Sequence, residues 1–313
     1  LVRWLADQVR PDVINLTNAL LSGMVHDLRR DLPGVPILCS LQGDDIFTES
    51  LPEPFRARTL ALIRDHGQEM DGFIATSHSY ADFMADYFQI PRNKIDVVHP
   101  GLNLAGYAPS PPDRQGQPFT IGYFARICPE KGFANLIDAF LTLRCLPWSE
   151  GIHLRVSGWL GDGQRSFFDQ QVARLESAGL LKYFHHRECL DHAAKAEFFR
   201  EIDVLSVPTT YHEPKGLYVL EALANGVPVV QPRHGSFPEL VEATGGGLLV
   251  PPGDPEALAR AWLALARDRS RAASLGQAGQ TAVQARFTAR RMAEDTATIY
   301  RRFLQAGNES CSR

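Results

Sequence analysis

Short apolar runs alternate with helix-length amphipathic segments along almost the whole chain, and this alternation limits the fold more than any other feature of the sequence. The runs fall at 12–16, 35–41, 72–76 and within KIDVVHPG, then at 119–124, 152–157, near 183–186, at 202–207, from Val227 and at 247–250. Helical patterns lie between them at 20–31, about 55–70, 79–89, 132–145, 165–178, 191–200, 254–267 and 270–285, with a last amphipathic helix over about 288–305. Strands that are apolar throughout are buried on both faces, and strands joined through helices run parallel, so the pattern predicts doubly wound α/β sheets. QGDDIFTESLPEP reads as a loop and GNESCSR as a frayed end. The opening LVRWLADQVRPDVINL reads as the tail of a helix entering a strand, so the chain is expected to begin inside a domain.

A chain of 313 residues can hold two domains of ordinary size. The clearest break is YAPSPPDRQGQP, with prolines at 109, 111 and 112. The predicted division is a first domain over 1–108, a linker at 109–117, a second domain over 118–287 and a C-terminal helix with its tail over 288–313. A net charge of −4 argues against a nucleic-acid partner, which needs a basic face. The five cysteines are scattered, without a C-x-x-C pair, which disfavours a zinc site or a disulfide framework and fits a reducing cytoplasm. No apolar run reaches transmembrane length. Peripheral docking at the inner membrane face stays open.

Chemistry concentrates between Ser206 and Glu239. A buried strand breaks at Pro208, crosses a polar loop with His212 and Glu213, and gives way near Gly216 to a helix with Leu217, Leu220, Leu223 and Ala224 on its apolar face. Asn225-Gly226 ends that helix. A helix N-terminus directly after a buried strand attracts anions, because its first N–H groups are unpaired and its dipole is positive there. Glu213 precedes this site and Glu221 lies one turn further inside the helix, an arrangement suited to a ligand with phosphates in the middle and hydroxyls at both ends.

The spacing Glu213 to Glu221, followed by ALANGVPVV and Glu239, resembles the E-x7-E signature of family 4 retaining glycosyltransferases of the GT-B fold. IGYFARICPEKGF at 121–133 is similar to that family's G-R-x-x-x-E-K-G loop, with Arg126 and Lys131 in the matching places. The resemblance covers nearly the whole chain and implies two Rossmann-like domains, the first lacking an N-terminal stretch, with the last helix crossing back to the first domain. It implies a metal-independent retaining hexosyltransferase that uses a nucleotide-diphosphate sugar, without a cofactor, on an unknown glycan or lipid acceptor, as in polysaccharide biosynthesis. Arg126 and Lys131 would stabilise charge on the departing phosphate, and Glu213 would touch the donor sugar. Glu221 would hold the ribose, with Gly216 and Leu217 giving N–H groups to the diphosphate.

The resemblance also places Gly158, in SGWLGDG, and Leu190, in HRECLD, beside the nucleotide. SLQGDDIF is similar to a loop on the acceptor side, where Gln42 replaces a His usual in relatives and Asp44 follows, although two adjacent acids on a loop are commonly just solvated. Lys215 stands where relatives often carry an aromatic residue, and Glu188 where a Gly is usual. His185, His186 and His192 are read as surface histidines and not as a metal site. The alternative reading is a nucleotide-sugar-binding protein, or a truncated remnant, without transfer activity. A metal-dependent GT-A enzyme is disfavoured because no D-x-D triplet occurs, and an oxidoreductase because no proper dinucleotide loop does. Glu213→Ala and Lys131→Ala are each expected to lower transfer at least roughly tenfold without unfolding the chain.

Overall fold

The computed structural model describes residues 1–107, 114, 116–189 and 191–311, with side chains described to 305 and that of His192 excepted. It divides into two compact units, Leu1–Gly101 together with Ala289–Arg313, and Leu102–Thr288. The division falls ahead of the Pro-rich stretch, much of which (108–113 and 115) lies outside the described residues. Its physical reason is visible at Leu102, which is buried in the core of the second unit and donates its N–H to Phe287 O at 2.8 Å.

In the first unit, β1 (Ile14–Leu16), β2 (Ile37–Leu41), β3 (Gly72–Ala75) and β4 (Ile95–Val97) form a parallel sheet in sequence order. The helix Ala289–Cys311 packs on this sheet: Ile299 joins Leu38, Ile74 and Val98 in one cluster, and Phe303 fills the space over Gly72. It runs past the expected end at 305, so the segment read as frayed is helical as far as it is described.

The segment read as a loop contains the helix Asp44–Glu49, which starts at Gly43 with two acids in its first turn, where the helix dipole favours them. These acids are not solvated. Asp44 is 4% exposed and accepts from Ala19 N at 2.6 Å and Gln42 N at 2.9 Å, while the Tyr80 hydroxyl donates to Asp45 at 2.6 Å. Burial raises the Asp44 carboxyl against the pull of its backbone donors. The two Asp44 oxygens thus tie this loop to the backbone at Ala19.

The second unit has six parallel strands, β5 (Thr120–Phe124), β6 (His153–Ser157), β7 (Phe184–His186), β8 (Val204–Leu205), β9 (Val229–Pro232) and β10 (Gly247–Val250), in the order β10-β9-β8-β5-β6-β7. The chain moves outward from β5 through β6 to β7, then returns to the other side of β5 and moves outward again. The direction of winding thus reverses between the adjacent strands β5 and β8, the kind of switch point at whose carboxyl ends open α/β sheets bind ligands. The helix Phe237–Thr244 was not expected from the sequence. Its apolar positions Phe237, Leu240 and Val241 span only two turns, and Pro238 at its head is compatible with a first turn that needs no N–H. No helix among the described residues is long and apolar enough to cross a membrane.

Candidate active site

The loops that follow β5 and β8 bring together residues that carry opposite charge and lie far apart in sequence. The loop leaving β5 is braced by Tyr123, whose hydroxyl donates to Arg126 O at 2.9 Å, and it turns through Pro129–Lys131 into the helix Phe133–Arg144. The loop leaving β8 is tied to it by Thr210 N, which donates to Glu130 O at 3.0 Å. Ser236 N, in the loop after β9, donates to Glu213 O at 2.9 Å. Three loops thus fix the backbone around one carboxylate.

That carboxylate is Glu213, 5% exposed, and Lys131 Nζ lies 2.7 Å from its Oε2. The hydroxyls of Tyr211 and Tyr218 donate to the same oxygen at 2.8 and 2.9 Å, and Lys131 also donates to the Tyr211 hydroxyl. Burial alone would push the Glu213 carboxyl up. The Lys131 ammonium and the hydrogen bonds from Lys131, Tyr211 and Tyr218 outweigh it and hold the carboxyl below its ordinary range. Burial, then the charge of Glu213, raises both tyrosines, so they stay protonated donors.

The sign of the pH effect follows. A carboxyl lowered on folding contributes stability that is present above its unfolded pKa, about 4.3, and is lost as pH falls through the lower folded value. Glu213→Gln should therefore melt below the wild type at neutral pH, and the gap should close on acidification below about pH 4. Melting curves of both proteins across pH 3–8 test this.

Lys131, Glu213 and Gly216 are brought together, as the sequence implied. Gly216 adopts a left-handed conformation at the head of the helix Leu217–Ala224. Its missing Cβ makes room for Leu240 Cδ1 and Ser236 Oγ, and its N–H points to Glu213 Oε1 at 3.3 Å. Leu217 follows as the first residue of that helix, a position whose N–H has no intrahelical acceptor. Arg126 lies on the same loop as Lys131, half exposed, with Nη2 3.6 Å from Glu130.

Glu221 meets Lys195 Nζ at 2.6 Å, with Tyr107 beside it; burial and the Glu221 charge raise the Tyr107 hydroxyl. Gly158 directly follows β6, on the far side of β5 from Glu213. Leu190 lies outside the described residues. In the first unit, Gln42 Nε2 donates to Thr17 O at 2.8 Å. His185 stacks on His153 at 5.6 Å.

Sequence reading missed Tyr211, Tyr218, Lys195 and Tyr107. Tyr218 left one signal: it falls on the apolar face of its helix, and a buried tyrosine hydroxyl needs a partner.

Residues 109–282, more than half the chain, match the family model described as glycosyl transferases group 1, and residues 1–105 match that of Glycosyltransferase Family 4. The D-inositol 3-phosphate glycosyltransferase of Stackebrandtia nassauensis is 30% identical over 312 residues, covering 92% of this chain and 68% of that one. Its namesake in Segniliparus rotundus is 28% identical over 308 residues, covering 92% and 65%. The chain thus spans about two thirds of the length of these curated relatives. Among solved structures, Anabaena HepE in complex with UDP aligns with a TM-score of 0.79 at 22% identity, covering 95% of this chain and 81% of that one. Sucrose-phosphate synthase from Thermosynechococcus elongatus aligns with a TM-score of 0.78 at 22% identity, covering 97% and 76%. The two parallel α/β sheets are those of the GT-B fold, and the chain belongs to the group 1 glycosyl transferases, with a Family 4 glycosyltransferase segment ahead of that match.

Proposed function

We propose that this chain carries the donor half-reaction of a retaining, metal-independent glycosyltransferase that uses a nucleotide-diphosphate sugar. The observation that carries the reading is Lys131, a buried ammonium held 2.7 Å from Glu213 where the β5 and β8 loops meet. As the bond from the sugar to the distal phosphate breaks, negative charge collects on that phosphate. A cation fixed in place beforehand stabilises this state more than the ground state. Lys131 supplies the point charge, and Arg126 supplies a second cation able to fork two oxygens. Leu217 at the helix terminus binds the diphosphate and Glu221 the ribose hydroxyls, with Gly158 beside the nucleotide. The acceptor hydroxyl attacks on the face the leaving group departs and passes its proton to the departing phosphate oxygen, which retains configuration. These cations do the charge work that a divalent metal does elsewhere, so a chelator should leave turnover unchanged.

The acceptor is a glycan or lipid hydroxyl. The names of the curated relatives, which specify D-inositol 3-phosphate, favour a polyol of that kind as the first compound to try. A second reading, binding without transfer, is favoured by Gln42, whose side chain is engaged with Thr17 O and cannot take up a proton.

Calorimetry with UDP, GDP, ADP and their sugars, beside an assay for donor turnover with and without chelator, separates the two. One nucleotide class should bind and its sugar should turn over in chelator. Binding without turnover selects the second reading, and no binding at all removes both.

A further inference from the structure

The helix Phe55–Glu69 turns Leu60, Ile63, His66 and Gly67 to the interior of the first unit, and His66 is the polar side chain among them. It is 7% exposed, yet its Nδ1 meets only the Ser22 hydroxyl, at 3.4 Å, longer than a usual N–H···O bond. Its Nε2 has no hydrogen-bond partner among the described residues. Buried polar groups are normally satisfied, so this ring calls for a further partner. His26, on the helix Val25–Asp31, meets His66 edge to face with ring centres 4.8 Å apart. Asp65 is exposed and has no hydrogen bond or ion pair among the described residues. One ring nitrogen of each histidine and one Asp65 carboxylate oxygen all lie within 4.8 Å of one another. The Glu69 carboxylate, one turn along the helix from Asp65, sits 2.8 Å from His26 Nδ1.

We propose that His26, Asp65 and His66 bind one divalent transition-metal ion of the zinc class, with Glu69 as the positioning residue that orients His26. Two imidazoles and a carboxylate suit zinc, nickel or cobalt, whereas magnesium and calcium take oxygen ligands. A carboxylate on Nδ1 makes that nitrogen the donor, so the lone pair of His26 falls to Nε2. The Ser22 hydroxyl engages His66 at Nδ1 and leaves Nε2 open there too. With ligand bonds of about 2.0–2.1 Å, the ligand atoms of a tetrahedral site lie roughly 3.4 Å apart. Rotating the exposed His26 and Asp65 side chains about the buried His66 closes the group to that distance. Water takes the fourth position.

Charge favours the same ion. Asp65 and Glu69 supply two carboxylates, and Arg29 does not neutralise them: its guanidinium reaches the Glu69 carbonyl oxygen and pairs with Asp71. The ion joins the segment 19–31 to the helix Phe55–Glu69 within the first unit, whereas Lys131 and Glu213 belong to the second. Its role is to hold the fold, so the proposed sugar transfer stays metal-independent. The site uses no cysteine, and the scatter of the cysteines does not count against it.

The full chain, stripped with chelator and returned to chelator-free buffer, would be titrated by calorimetry with zinc chloride and with magnesium chloride. His26→Asn, Asp65→Asn and Glu69→Gln variants would be treated alike; none of the three side chains is buried, so these variants should fold. One zinc should bind per chain and raise the melting temperature by about 4 °C or more, and magnesium should do neither. His26→Asn and Asp65→Asn should each weaken zinc at least about tenfold, and Glu69→Gln about ten- to a hundredfold. The inference is overturned if zinc does not bind at one per chain, or if magnesium protects as well as zinc. It is equally overturned if His26→Asn and Asp65→Asn keep the wild-type affinity and melting shift, which would put the zinc elsewhere. Donor turnover that follows zinc occupancy well below the melting temperature would overturn the structural role.

Discussion

Lys131→Ala is expected to lower sugar transfer at least about a hundredfold, the size of loss seen when one charge-stabilising donor is removed from a transition state. The sequence implied a loss of at least roughly tenfold with the fold untouched. The structure changes the second half of that expectation. Lys131 and Glu213 form a buried pair, with side chains 11% and 6% exposed, and removing one member leaves the other charged and unpaired. Breaking such a pair costs roughly 3–5 kcal/mol, against about 5–15 kcal/mol of total stability for an ordinary domain. The variant should fold but melt well below the wild type, and with the ammonium gone burial should push its Glu213 carboxyl up. The double change Lys131→Ala with Glu213→Ala removes both charges and should recover part of the lost stability while recovering no activity. Melting temperature and turnover measured on the three proteins separate the two effects. A double variant as unstable as the sum of the singles would mean the two residues do not form the pair described here.

What the sequence revealed and what it withheld divide along a physical line. The strand at 119–124, the loop with Arg126 and Lys131, and the helix opening at Leu217 were legible, because period, turn chemistry and motif spacing are local properties. So was the adjacency of Lys131 and Glu213, once two motifs were taken as neighbours on one sheet. The partners that set the behaviour of these residues were not legible. Lys195 meets Glu221 across 26 positions, Tyr80 meets Asp45 across 35, and Lys131 meets Tyr211 across 80, so only the tertiary fold pairs them. Asp44 shows the cost of reading charge locally: a loop acid appears solvated unless one knows that the Ala19 backbone lies against it. The same applies to Gly216, whose missing side chain makes room for Leu240, a neighbour that only the tertiary fold supplies.

Gly132→Ala should be among the most destabilising single changes in the chain, because this glycine lets the β5 and β8 loops touch. It follows Lys131, has φ of +73°, and a Cβ built on it would lie 1.7 Å from the carbonyl oxygen of Pro208. A left-handed backbone costs a residue with a side chain about 1–2 kcal/mol by itself. The collision adds to this and cannot be relieved by turning a side chain, since the atom struck is backbone. One loop must move away from the other, and the hydrogen bond from Thr210 N to Glu130 O and the pair between Lys131 and Glu213 both span that gap. The loss should therefore combine backbone strain with much of the cost of breaking the buried pair.

Gly253 supplies the control. It has nearly the same φ, +67°, but nothing within 4 Å of the position a Cβ would take. Gly253→Ala should show the strain alone, about 1–2 kcal/mol, while Gly132→Ala loses several times as much and binds nucleotide poorly. Denaturant unfolding of the two variants beside the wild type measures the difference directly. Equal losses would show that contact between the two loops contributes nothing beyond a strained backbone, and that the placement of Lys131 depends on something other than that contact.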